Sequence, residues 1–206
     1  MIDLKSIKTY YLNADTFTDR RARMDSFLTN LGFRFERVGS SSSHQSRAVK
    51  IAEGLCHLVR VAVQSAEYPF LILEDDAEII KDLPAHIEIP EDAVLIYLGA
   101  SLWNCGGIKP DLKLSDRPDS YYRLHHSLAT HAILVPNEES AKHFIKILSN
   151  AIDTGEHTDI LFAVESANSV YLTPKDGPYF YQNDPHTRPI TEFQWLDHRD
   201  LLIKKN

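Results

Sequence analysis

Pro69-Phe70-Leu71-Ile72-Leu73-Glu74-Asp75-Asp76-Ala77-Glu78 carries four large apolar residues straight into three carboxylates. The short apolar run, opened by a proline, predicts a buried strand. A sheet core does not hold unpaired carboxylates, because each costs several kcal/mol to desolvate. The acids are therefore expected at the strand's C-terminal end, the edge where open α/β sheets bind ligands. Alternation along an extended chain puts Glu74 and Asp76 on one face and turns Asp75 elsewhere. Two converging carboxylates suit a hard divalent cation such as Mg²⁺ or Mn²⁺. The plain alternative is a solvated acidic turn.

Upstream, Ile7 to Leu12 reads as a first strand ending at Asn13. The cap-type residues of Asp15-Thr16-Phe17-Thr18-Asp19 predict a helix start. Met24, Phe27, Leu28 and Leu31 give that helix a stripe, and Gly32 ends it. Phe33 to Val38 alternates as a second strand, and Ser40 to Ser43 predicts a mobile loop. A second helix is expected over Arg47 to Glu67, with Gly54 inside it marking a close approach. Downstream, strands are expected at Ala93 to Leu98, Tyr121 to Leu124 and Thr130 to Val135. Ser101 to Ser120, with two glycines and two prolines, predicts a long and functional loop. Asn137 caps a helix whose stripe is Ala141, Phe144, Ile145 and Leu148. A short helix opened by His157-Thr158-Asp159 and running through Val164, late strands at 170–172 and 179–181 and an amphipathic helix over 195–203 complete the pattern. Early strands alternate with helices, so the expected fold is one α/β domain over 1–206 with a mostly parallel sheet flanked by helices.

The chain of 206 residues is long enough for one sizeable core. Its net charge of −7 argues against a surface that gathers nucleic acid. With Cys56 and Cys105 alone, neither a disulfide framework nor a structural zinc site is expected. The opening Met1-Ile2-Asp3-Leu4-Lys5 has no signal-peptide character, and no apolar run reaches membrane-spanning length. A cytoplasmic protein is expected.

GxGxxG and P-loop fingerprints are absent, so a bound phosphate would need a metal and side chains. Arg20, Arg21 and Arg47 place positive charge near the first strand ends; ordinary solvated surface is the simpler account of them. Ten histidines include His125, His126 and His131, from which a metallohydrolase is conceivable, but no HExxH-type spacing supports it. His186 lies in a polar loop from which an imidazole reaching back to the acids would suit Mn²⁺. Trp103, Tyr121 and Tyr122 are candidates for stacking on a sugar ring, or for packing the long loop.

Several stretches together resemble the family 25 glycosyltransferases, the lipopolysaccharide-type sugar transferases of the GT-A fold. They are Tyr11-Leu12-Asn13-Ala14-Asp15 with Asp19-Arg20-Arg21, Ala52 to His57, Leu71-Ile72-Leu73-Glu74-Asp75-Asp76, Tyr97-Leu98-Gly99, Thr130 to Pro136 and His157-Thr158-Asp159-Ile160-Leu161. Cys56 stands where the family has a serine before its histidine, and 40–46 departs from the family pattern. The short chain resembles a minimal viral or bacterial member, like the small domains of chlorella-virus glycosyltransferases. The resemblance implies a GT-A-like, Rossmann-like domain, with a nucleotide-binding half over about 1–100 and an acceptor-side half over about 101–206. It implies a nucleotide-sugar donor, UDP-linked by preference, a glycan acceptor, inversion at the anomeric carbon and Mn²⁺ or Mg²⁺. Asp76, Glu74 and His186 would hold the metal, while Asn13, Arg20, Glu74 and Asp75 would contact the donor. Asp159 would be the catalytic base, with Glu165 in reserve; a helix N-terminal acid favoured by the dipole accounts for Asp159 equally well. A metal-dependent phosphohydrolase and a non-catalytic sugar- or nucleotide-binding module are the competing functions.

Overall fold

The computed structural model describes residues 1–40, 46–79, 81–99, 113–125 and 130–182. The elements are β1 (Lys8–Ala14), α1 (Thr18–Leu31), β2 (Arg34–Ser40), α2 (Arg47–Ser65), β3 (Phe70–Glu74), β4 (Ala77–Ile79) and β5 (Leu95–Tyr97). They continue with β6 (Lys113–Asp116), β7 (Tyr121–His125), β8 (Ala132–Val135), α3 (Glu138–Thr154), α4 (Thr158–Glu165), β9 (Tyr171–Pro174) and β10 (Phe180–Gln182).

Among the described residues, eight strands form one sheet in the order β2-β1-β3-β8-β5-β9-β7-β6. β1 is parallel to β2 and β3, and β5 to β9. β8 and β7 are antiparallel to their neighbours, so the other six strands point the same way. The sheet is thus mostly parallel, with two reversed strands set into it. β4 and β10 make a separate antiparallel pair beside β3.

Alternation along the strands feeds two cores, one on each face of the sheet. Phe70 and Ile72 pack with Leu55, Leu58 and Val59 of α2, Phe144 and Leu148 of α3 and Phe162 of α4. Leu71 and Leu73 pack on the other face with Met24 and Leu28 of α1 and with Tyr179 and Phe180. Glu74 continues the Phe70 and Ile72 series toward the side that α4 covers.

Local signals explain much of this. Gly32 stops α1 in the left-handed conformation, at φ +77°. Asn137 caps α3, its side chain accepting from the Ser140 N–H at 3.0 Å. At Gly54 a Cβ would lie 3.0 Å from Ser40 Oγ and 3.1 Å from the Leu12 methyls, the close approach expected there.

Several expectations shift. α1 starts at Thr18 with Phe17 at its cap and no side-chain cap, and Asp15 pairs with Arg37. Part of the expected long loop, Lys113–Asp116, is a strand paired with β7. Tyr121, a candidate for sugar stacking, is buried, and its hydroxyl donates to the Glu88 carbonyl. Trp103, Cys105, His126, His186 and the expected helix over 195–203 lie outside the described residues. Among the described residues no helix is long and apolar enough to cross a membrane.

Candidate active site

β1 and β3 run side by side and deliver Asn13 and Glu74 to the same edge of the sheet. β8 runs the opposite way, so its beginning meets that edge: the Glu74 N–H donates to the His131 carbonyl at 3.0 Å. Thr130 is carried in with it. α4 opens near the same point with Thr158 and Asp159. Four segments remote in sequence thus bring polar side chains to one end of β3.

The acids separate by partner. Asp75 is buried; Asn13 Nδ2 donates to one of its oxygens at 2.7 Å and Arg20 to the other at 2.9 Å. The same Arg20 nitrogen lies 3.5 Å from Asp76 Oδ2. Its guanidinium carbon stands 5.4 Å from the centre of the exposed Phe17 ring. Asn13 is itself held, donating to the Phe17 carbonyl at 3.2 Å and accepting from Arg37 at 3.1 Å. Asp76 is 4% exposed, which removes most of the water that would otherwise solvate it.

Glu74 and Asp159 meet across Thr130. The Thr130 hydroxyl lies 2.7 Å from Glu74 Oε1 and 3.0 Å from Asp159 Oδ1. A hydroxyl has one hydrogen, so it can donate to only one of these oxygens. The second contact is a hydrogen bond only when one of the carboxyls carries its own proton. Both acids favour that state: burial, then the charges of Asp76 and Asp159, hold Glu74 well above the usual carboxylate range. Burial likewise raises Asp159, and the Thr130 bond partly offsets it.

Gln182, at the end of β10, closes the group. Its Nε2 lies 3.4 Å from Glu74 Oε2 and 3.4 Å from Asp76 Oδ2. One atom is therefore within reach of an oxygen from each acid, and their mutual repulsion is what a cation would relieve. No group of three or more His, Cys, Asp or Glu among the described residues makes a metal site unaided. Two carboxylates are nevertheless a fitting partial set for Mg²⁺ or Mn²⁺, which commonly complete their shell with water and phosphate oxygens.

Among the described residues, His131 and His125 do not join the acids. His131 is buried, with its ring toward the Phe180 carbonyl at 3.4 Å, and burial pushes it down to about 4. His125 pairs with the Ser115 hydroxyl across β6 and β7 at 2.9 Å. Glu165 accepts from Ser169 at the far end of α4. Thr130 and Gln182 have no role in the sequence reading. Thr130 lies inside a stretch quoted for the family resemblance, whereas nothing in the sequence marks Gln182.

The chain is similar in structure to a glycosyltransferase involved in the glycosylation of the major capsid of PBCV-1. The TM-score is 0.60 at 10% identity, over 95% of this chain and 98% of that one. The fold is GT-A-like. The catalytic domain of Drosophila β1,4-galactosyltransferase 7 with xylobiose aligns less closely, with a TM-score of 0.45 at 12% identity over 86% of this chain and 71% of that one. A mutant of that enzyme complexed with manganese, UDP-Gal and xylobiose gives 0.44 at 14% identity, over 97% and 81%. No protein-family model and no curated protein sequence matches the chain. At these identities the GT-A-like likeness is one of fold.

Proposed function

We propose that this chain is a glycosyltransferase that moves a sugar from a nucleotide-linked donor, UDP-linked by preference, to a glycan hydroxyl with inversion. One observation carries the reading: the acids at the end of β3 sit one hydroxyl away from Asp159, on the sheet edge of a GT-A-like fold. The family resemblance and the PBCV-1 enzyme's fold support the same reading.

Glu74 and Asp76 would hold a divalent cation, which when bound neutralises the departing diphosphate. Arg20, already poised between Asp75 and Asp76, would add positive charge on the donor side. Asn13 would fix Asp75 against the donor rather than touch it, since its amide is engaged within the protein. Asp159 would take the proton as the acceptor oxygen attacks the anomeric carbon. The bond from that carbon to the diphosphate oxygen breaks, and the nucleoside diphosphate leaves with the electron pair. Thr130 orients the Asp159 carboxylate and favours its ionised form. His186 remains a proposed further ligand.

A thermal-shift panel of UDP-, GDP- and CMP-sugars, each with and without Mn²⁺, tests this. A donor at a hundred times its Kd should stabilise the fold by about 2.7 kcal/mol. A UDP-sugar should do so only with Mn²⁺, and Asp76→Asn should abolish both the shift and sugar transfer while remaining folded. An Asp76→Asn protein that still transfers sugar would end the proposal. Phosphate release from simple esters, without sugar transfer, would favour the phosphohydrolase instead.

A further inference from the structure

We propose that Gln182 is a third protein ligand of the cation at Glu74 and Asp76, supplying its side-chain carbonyl oxygen. The inference rests on the reading of those two acids as cation-binding.

The Gln182 amide nitrogen stands 3.4 Å from one oxygen of each acid. That is long for a hydrogen bond, but it is the position of an atom shared between two carboxylates. The amide carbon carries an oxygen opposite that nitrogen, and a half-turn of the last side-chain torsion exchanges the two. This torsion, between sp³ and sp² carbons, is broad and roughly two-fold, so the exchange needs no new backbone position. Facing bare carboxylates, the amide presents its N–H groups. Facing a cation between them, the same amide is repelled at nitrogen and attracted at oxygen.

The backbone holds Gln182 in place for this. It lies opposite Ala77 in the β4–β10 ladder, directly beside the acidic turn. Phe180 anchors the strand through its N–H to the Leu98 carbonyl at 3.1 Å. Tyr181 anchors it through its hydroxyl to Glu78 at 2.7 Å. The amide is presented by a paired strand that is fixed at two points.

The chemistry fits a hard dication. Two carboxylates balance its charge, and a neutral amide oxygen adds coordination without adding negative charge. An incoming diphosphate then meets a site that does not repel it. A set of three oxygens favours Mg²⁺, Mn²⁺ or Ca²⁺ over softer metals.

The test measures Mn²⁺ binding to the nucleotide-free protein, from the electron paramagnetic resonance signal of free Mn²⁺. Native protein, Gln182→Leu, Gln182→Glu and Asp76→Asn are compared, with circular dichroism confirming the fold of each. If Gln182 is a ligand, Gln182→Leu should weaken Mn²⁺ binding by about tenfold or more. Gln182→Glu should restore it. If the amide only bridges the two acids, it competes with the metal, and Gln182→Leu should bind Mn²⁺ more tightly. Unchanged or tighter binding by Gln182→Leu overturns the inference. Should it occur while Asp76→Asn loses the metal, the cation reading of the acids survives alone. A native protein that binds no Mn²⁺ overturns both.

Discussion

Glu74 is costly where it stands. It is held among Asp76, Asp159 and Asp75 with little water to screen them, and its carboxyl is raised above the ordinary value of 4.5. A raised acid binds its proton more tightly when the chain is folded. Its contribution is full below about pH 4.5 and is lost as pH rises through the folded value. Glu74→Gln should therefore be more stable than the native protein in denaturant unfolding at pH 8, with the gap closing near pH 4. The same variant should lose its response to Mn²⁺. Thr130 acts oppositely on its neighbour, since its hydrogen bond lowers the Asp159 carboxyl. Thr130→Val should move the acidic limb of the kcat/KM profile to higher pH, because the base then ionises later.

The helices hold to rules visible along the chain. The Asn137 side chain satisfies one otherwise orphaned N–H of α3, so Asn137→Ala should cost about 1 kcal/mol in urea unfolding. Short strands obey different rules. Gly99 stands two residues beyond β5, where a Cβ would fall 2.2 Å from His131 Nε2 and 2.5 Å from its Cδ2. Gly99→Ala should destabilise by about 1–3 kcal/mol through overpacking, read as a lowered urea midpoint. α2 and α3 are legible because a stripe of apolar side chains repeats over 19 and 17 residues with a polar cap before each. β4 and β6, which the sequence reading did not place, have three and four residues, too few to show a period. What makes them strands is pairing with partners such as Phe180 for Ile79, about a hundred residues away.

The two proposed halves of the molecule share one sheet. β8 from the second half lies between β3 and β5 of the first, and β9 lies on the other side of β5. Neither half can leave without opening ladders of the other, so calorimetry should show one cooperative transition. Against the effect of Glu74, one buried group of the sheet weakens the fold in acid. The buried His131 titrates near 4 when folded against an ordinary 6.5, so the unfolded chain binds its proton first. The His131 contribution is intact above about pH 6.5 and falls as pH drops toward 4, by roughly 3 kcal/mol. Between pH 7.5 and pH 5, the stability of His131→Asn should shift in the favourable direction relative to that of the native protein, read from the two urea midpoints.

The residue order by itself determined the strand that ends in acids, the helices around it and the α/β class, because strand and helix periods are written in neighbouring residues. The GT-A-like resemblance was legible for the same reason: its motifs are short and follow one another in order. Only the folded chain decided what stands beside those acids. Thr130, Asp159 and Gln182 reach Glu74 through a reversed strand, a helix start and a separate two-stranded ladder. Such neighbours are chosen by which strands pair and in which register, a choice made by burial across the whole sheet and not by local periodicity.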